Sequence, residues 1–378
     1  MKLVVVGDTV PTRKPGSGAR ALLAEGAPDT ENTVTLANLE TPLTDSDEPA
    51  EKEMTIRAPA AAARHLRDLG IDVVSVATNH ALDHGAPGLL DTVAALDRSG
   101  VRHAGGGPTL AAADAGAVLE TADGTRLAVL SFCSTLPPGA NATSTRPGIA
   151  PIRIDQSFAF DGTTMQEQPG TPPYVRTAAH EPDLRRAEER IRATKAICDR
   201  VVVCLHWGVP WCYLPENQGP LAEYQRPLAH RLVDAGADVV AGTHPHCLHP
   251  VERRGNGLIL YSAGNFLFQS AEIGEPEQYY ALPYRNSRLF TGRWFESAVF
   301  TIDLGDRPGL RLTPITLDED GDPSAADEVT GARILRSVER QSRELDPEIR
   351  IGPDGVVHFG RGFPSGPEYP RTADADPR

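Results

Sequence analysis

Short apolar runs, each ending on a polar residue able to bind metal, constrain this chain more than any other feature. Residues 3–6 run into Gly7-Asp8, 34–39 into Glu40, and 71–77 into Asn79-His80. Residues 201–205 run into His206, and 239–241 into a segment holding His244 and His246. Runs of this length, bounded by turn residues, read as buried strands. Segments 60–69, 87–98, 183–199 and 221–235 read as helices, with Pro87 in a first turn, where proline is favoured. Residues 118–120 and 127–132 flank Asp123-Gly124, a hairpin signal, and 258–261 and 298–304 add two strands. Strands alternating with helices predict a layered α/β architecture. In open α/β sheets, ligands bind at the carboxyl ends of the strands, where these polar residues fall.

The strand-end set is Asp8, Glu40, Asn79, His80, His206, His244 and His246. It offers carboxylate, amide and imidazole groups and no thiolate, a set suited to Mn²⁺, Fe²⁺ or Zn²⁺. Two metals about 3.5–4 Å apart need one carboxylate between them, and Glu40 can take that place. In His244-Pro245-His246, an extended backbone would point both imidazoles the same way, one to each metal.

Composition narrows the partners. Fifty-one acidic against 37 basic residues leave a net charge of -14, which repels nucleic acid and anionic membranes unless a basic patch is present. Only four of the basic residues are lysines: Lys2, Lys14, Lys52 and Lys195. Five cysteines with no CxxC pair predict reduced thiols and a cytoplasmic setting. The opening apolar run of four residues is shorter than a signal peptide or membrane span requires, so no membrane anchor is expected. Nothing in the sequence indicates the oligomeric state.

Six motifs come in the order of the CapA/PgsA family, named for capsule and poly-γ-glutamate synthesis. They are Gly7-Asp8, Asn38-Leu39-Glu40-Thr41-Pro42, Asn79 through Gly85, His206-Trp207-Gly208, Gly242 through His246, and Tyr261 through Phe266. The match covers residues 3–268, and that family resembles calcineurin-like metallophosphoesterases. The resemblance implies a four-layer α/β/β/α sandwich holding two divalent metal ions (Mn, Fe or Zn). It places Asp8 and His246 on the first metal, Asn79, His206 and His244 on the second, and Glu40 as the bridge. His80 becomes the general acid, oriented by Asp83, while a metal-bound hydroxide attacks a phosphoester or related bond. Two alternatives stand beside this hydrolase: amide chemistry on glutamyl or other peptide-like substrates, and a non-catalytic binding protein that keeps the fold. Val10 stands where metallophosphoesterases place the His of Asp-x-His, and Thr78 replaces the first Asn of Asn-Asn-His.

The expected organisation is a main domain over 1–315 and a C-terminal extension over 316–378, with a short helix and a disordered tail. Segments 136–174 and 271–293 read as active-site loops or a lid, since loops this long in a compact domain tend to be functional. A small anionic or peptide-like substrate would be held by arginines, and the candidates are Arg57, Arg285, Arg288 and Arg293.

Overall fold

The computed structural model describes residues 1–26, 29–52, 54–209, 221–269, 292–305 and 307–360. The chain begins with β1 (Lys2–Val10), α1 (Ser17–Gly26), β2 (Thr33–Leu39), α2 (Ala62–Leu69), β3 (Val73–Ser75) and α3 (Gly85–Ser99). It continues through β4 (Arg102–Ala104), β5 (Gly106–Gly107), α4 (Leu110–Ala115), β6 (Ala117–Glu120), β7 (Arg126–Cys133) and β8 (Gly148–Ile149). Then come β9 (Ile154–Ala159), α5 (Gly162–Glu167), β10 (Tyr174–Ala179), α6 (Glu181–Lys195), β11 (Arg200–His206) and α7 (Gln225–Asp234). The last part holds β12 (Val239–Thr243), β13 (Val251–Arg254), β14 (Gly257–Leu260), β15 (Asn265–Phe268), β16 (Glu296–Asp303) and β17 (Gly309–Leu317). It closes with β18 (Pro323–Ala325), α8 (Glu328–Leu345), β19 (Arg350–Ile351) and β20 (Val357–His358).

Two sheets face each other. The first has the order β18-β17-β16-β1-β2-β3-β4, with β15 also paired to β1; the second has the order β13-β14-β12-β11-β7-β6. Strands β1 to β4 run parallel, as do β7, β11, β12 and β14. The alternation along each strand explains the layering. Leu3 and Val5 join Val129, Val202 and Val239 in the core between the sheets. Val4 and Val6 face outward instead and pack with Leu22 of α1, Leu66 of α2 and Leu96 of α3. Val201 and Val203 face α6 and α7 through Leu184, Ile191 and Leu228. Each such aliphatic side chain contributes about 1.5–3 kcal/mol when fully buried. The result is the α/β/β/α sandwich that the motif order implies. Helix α8 adds Ile334, Leu335 and Val338 to the inter-sheet core.

Two glycines let the backbones approach at the site. A Cβ on Gly7 would lie 1.8 Å from the Gly264 carbonyl oxygen, which accepts from the Asp8 N–H at 2.8 Å. A Cβ on Gly242 would lie 2.3 Å from both Trp207 Nε1 and the Tyr261 carbonyl oxygen. Trp207 is fully buried, stacks on Tyr261 and donates to that same oxygen at 2.9 Å, so it is core packing.

Some local expectations differ. Segment 136–174 contains β8, β9, α5 and the first residue of β10. Strands β9 and β10 form an antiparallel ribbon exposed along nearly its whole length, which hid it from the apolar pattern. Just before the segment, the Ser134 N–H donates to the His206 carbonyl at 2.9 Å. Most of 271–293, including Arg285 and Arg288, lies outside the described residues, as does the tail from 361. Among the described residues, no helix is long and apolar enough to cross a membrane.

Candidate metal centre

The carboxyl edges of both sheets meet at one buried cluster. Sheet one supplies Asp8 from β1, Glu40 just after β2, and Asn79 and His80 beyond β3. Sheet two supplies His206, the last residue of β11, and His244 and His246 beyond β12. Asp8, Glu40 and His206 are fully buried. Ligand atoms of Glu40, His206 and His244 lie within 4.8 Å of one another, and so do those of Asp8, Glu40 and His246. Glu40 is the member common to both groups. Glu40 Oε1 is 3.3 Å from His206 Nε2 and 3.8 Å from His246 Nε2. Asn79 Oδ1 is 2.7 Å from His206 Nε2, and His244 Nδ1 is 3.0 Å from the same nitrogen.

The His244-Pro245-His246 segment is not extended. His244 has φ 99° and His246 φ 54°, both in the region that non-glycine residues avoid. Such conformations cost of order 1–3 kcal/mol each and persist where the surroundings over-determine them. Here the Asp8 carboxylate accepts from the His244 N–H at 3.1 Å, and His246 Nδ1 sits 2.9 Å from Asn265 Oδ1. Trp294 lies against the His246 ring at 4.4 Å, and Phe268 meets that ring edge-on at 5.4 Å.

Burial sets the electrostatics. It raises Asp8 to about 7 despite hydrogen bonds from Asn38 and the His244 backbone that favour the charged form. Glu40 is raised well above its ordinary value by burial and by the neighbouring Asp8 charge. Burial and the adjacent imidazoles push His206 and His244 far down, and burial takes His246 to about 4. Burial in the cation-free site therefore works against carboxylate and imidazolium charge alike. Both Glu40 oxygens are buried without a hydrogen-bond partner among the described residues. An unpaired buried carboxylate beside neutral imidazoles is an unfavourable arrangement that a divalent cation relieves. The donor set, two carboxylates and three imidazoles with an amide oxygen, fits such a cation.

A second group flanks the first. His80 Nδ1 is 2.6 Å from Asp83 Oδ2, and the same oxygen accepts from the Ile56 N–H at 2.8 Å. Lys52 Nζ donates to Asp83 Oδ1 at 2.6 Å and to the Asn79 carbonyl at 3.0 Å. Burial lowers His80 and Asp83 acts against it.

The family described as bacterial capsule synthesis protein PGA_cap matches residues 2–270. The chain belongs to that family. It is 29% identical over 219 residues to the capsule biosynthesis protein CapA of Bacillus anthracis, covering 58% of this chain and 45% of that protein. It is 28% identical over 233 residues to the PGA biosynthesis protein CapA of Bacillus subtilis, covering 61% and 52%. A probable polyglutamine synthesis accessory protein of Mycobacterium tuberculosis is 32% identical over 276 residues, covering 71% and 63%. The chain thus spans about half the length of the two Bacillus relatives.

The PGA_cap match contains the whole cluster. Asn38, Lys52 and Asn265 escaped the sequence reading as site residues. Asn38 Nδ2 donates to Asp8 Oδ1 at 2.7 Å and lies 3.3 Å from His206 Nδ1. Asn38 and Asn265 lay inside quoted motifs, whereas for Lys52 the available signal was a lysine kept in an arginine-dominated chain. Val10, at the missing-imidazole position, is buried with Ile56, Phe268, Trp294 and Leu317. Arg57 lines a cavity beside Asp83, described below. Arg293 is half-buried and precedes Trp294; its Nη1 is buried without a partner among the described residues, and its charge acts on buried His249.

Proposed function

We propose that this PGA_cap chain is a two-metal hydrolase whose role is accessory to capsule or poly-glutamate synthesis. The observation that carries this reading is Glu40, a buried carboxylate with no hydrogen-bond partner among the described residues that belongs to both ligand groups. Asp8, Glu40 and His246 would hold one divalent cation; Glu40, His206, His244 and Asn79 would hold the other. Bound there, Mn²⁺, Fe²⁺ or Zn²⁺ would supply positive charge that polarises a substrate oxygen and makes water a better nucleophile at neutral pH.

The chain's own groups do the rest. Asp83 fixes the His80 ring through Nδ1, which leaves Nε2 as the nitrogen that exchanges a proton with the leaving group. Lys52 holds Asp83 and the Asn79 carbonyl together, so the proton-transfer group and one ligand residue move as a unit. Burial of Asp8, Glu40 and His206 keeps bulk water from competing for the ligand atoms.

The electrophile has two readings. The fold and the His80–Asp83 pair favour a phosphoester. The names of the relatives, which refer to capsule and poly-glutamate synthesis, favour an amide bond in a glutamyl or peptide-like substrate. Elemental analysis after Mn²⁺, Fe²⁺ or Zn²⁺ reconstitution, followed by parallel assay of p-nitrophenyl phosphate esters and γ-glutamyl amides, separates them. Turnover of phosphodiesters alone eliminates the amide reading. Absence of bound metal, with unchanged activity in Glu40→Ala, overturns the two-metal assignment. Metal uptake without turnover on either panel leaves the binding-protein reading.

A further inference from the structure

A cavity of about 200 Å³ is lined by Asp47, Pro49, Thr55, Ile56, Arg57 and His84. It adjoins the His80–Asp83 pair through two short chain segments. Ile56 donates its N–H to Asp83, and its buried side chain packs with Val10, Phe268 and Trp294. Its neighbours Thr55 and Arg57 line the cavity. On the other wall, His84 directly follows Asp83.

The wall charges come in opposite signs. Arg57 Nη1 is 2.8 Å from Asp47 Oδ1 and 2.5 Å from the Ser46 carbonyl oxygen. Asp47 is 87% exposed, so the pair is worth at most about 1 kcal/mol and is easily exchanged. His84 is 7% exposed and precedes the first turn of α3 without making a side-chain cap, and its buried Nδ1 has no hydrogen-bond partner among the described residues. A buried ring nitrogen left unpaired at a cavity wall suits a ligand group that bonds to it. Asp45, Asp47, Glu48 and Glu51 are exposed along the same segment. Their field opposes a ligand that carries only negative charge. A ligand bearing a carboxylate and an ammonium meets both signs.

We propose that this cavity is a subsite for an amino-acid head group, with its carboxylate on Arg57 and His84 and its ammonium on Asp47. The choice of a glutamyl probe rests on the amide reading above; the charge argument does not. Binding of γ-glutamylglutamate, measured by titration calorimetry, tests it. Two capped analogues complete the set, one N-acetylated and one with the α-carboxylate of the first residue converted to a carboxamide. Each cap is expected to weaken binding to the parent protein by about tenfold, the loss of one charge-assisted hydrogen bond. Arg57→Gln should erase the carboxamide penalty and Asp47→Asn the acetyl penalty, with metal content unchanged in both. The proposal is overturned if the parent does not bind the dipeptide at millimolar concentration. It is equally overturned if capping leaves affinity unchanged, or if both penalties survive in both variants. Failure of metal uptake with intact capping penalties would sink the two-metal reading and leave the subsite standing.

Discussion

Replacing Glu40 by Gln should stabilise the cation-free protein and remove most of its stabilisation by metal. Both Glu40 oxygens are buried and unpartnered among the described residues, and burial with the Asp8 charge raises its pKa well above the ordinary 4.5. A group whose folded-state pKa is raised contributes stability below its unfolded value and loses it as pH rises. Metal-free parent protein therefore loses stability from pH 4.5 upward through the folded pKa. Gln is nearly isosteric and carries no charge to desolvate. At neutral pH the metal-free variant should exceed the parent by about 1–3 kcal/mol, the charge-dependent part of the burial penalty, since Gln keeps the same unpaired polar atoms without the charge. The gap should close as pH falls below 4.5.

Metal reverses the order. A cation at about 100 times its Kd adds about 2.7 kcal/mol per site, so two sites add about 5 kcal/mol to the parent. At about 2 °C per kcal/mol for a large domain, this is a rise in Tm of about 10 °C. The variant should show less than half of that, because both groups share the lost carboxylate. Thermal melts with and without Mn²⁺, paired with elemental analysis, read both effects. If Glu40→Gln lowers the metal-free Tm at neutral pH, or keeps the full Mn²⁺ shift, the shared-carboxylate argument is wrong.

Three further outcomes are expected. His246→Ala should lose about one metal per chain while Glu40→Ala loses both, and equal metal content in the two would contradict their different places in the clusters. Lys52→Met strips a donor from fully buried Asp83 and should cost about 1–3 kcal/mol in denaturant unfolding, with Lys52→Arg restoring part of it; an unchanged midpoint would show that Lys52 does not hold Asp83. Burial pushes Glu252 up, but bonds from His230, Arg226 and Tyr261 outweigh it and bring the carboxyl from 4.5 to about 2. Its stabilisation, at most about 3 kcal/mol, is present above pH 4.5 and lost as pH falls toward 2, so Glu252→Gln should flatten the acid limb of the stability curve. An acid limb identical to the parent's would refute it.

The sheets and the strand-end residues were legible because burial on both faces writes a strand as an apolar run, and the site begins where that run stops. Asp8, Glu40, His206 and the His244–His246 pair all follow this rule. The turn geometry was not legible. The positive φ values of His244 and His246 arise from Asp8 and Asn265, residues distant in sequence, so local pattern implied an extended segment instead. Lys52 was hidden for a related reason. It reaches Asp83 from a polar segment without helical or strand period, and only the folded path of that segment brings it there. The ribbon of β9 and β10 was missed because it buries almost nothing.

The hydrogen bond from the His244 N–H to Asp8 spans 236 positions of sequence. Among the described residues neither sheet carries a complete ligand group, since each group takes Glu40 from one sheet and at least one imidazole from the other. A chain with only one sheet formed has no site to load, and contacts of such long range form late in folding. Metal uptake is then a report that the two halves have docked in register. Once bound, a cation would act as a fastener between the carboxyl ends of the two sheets. Metal depletion should loosen that edge first, in hydrogen exchange at the ends of β2, β11 and β12, while the centres of the same strands stay protected.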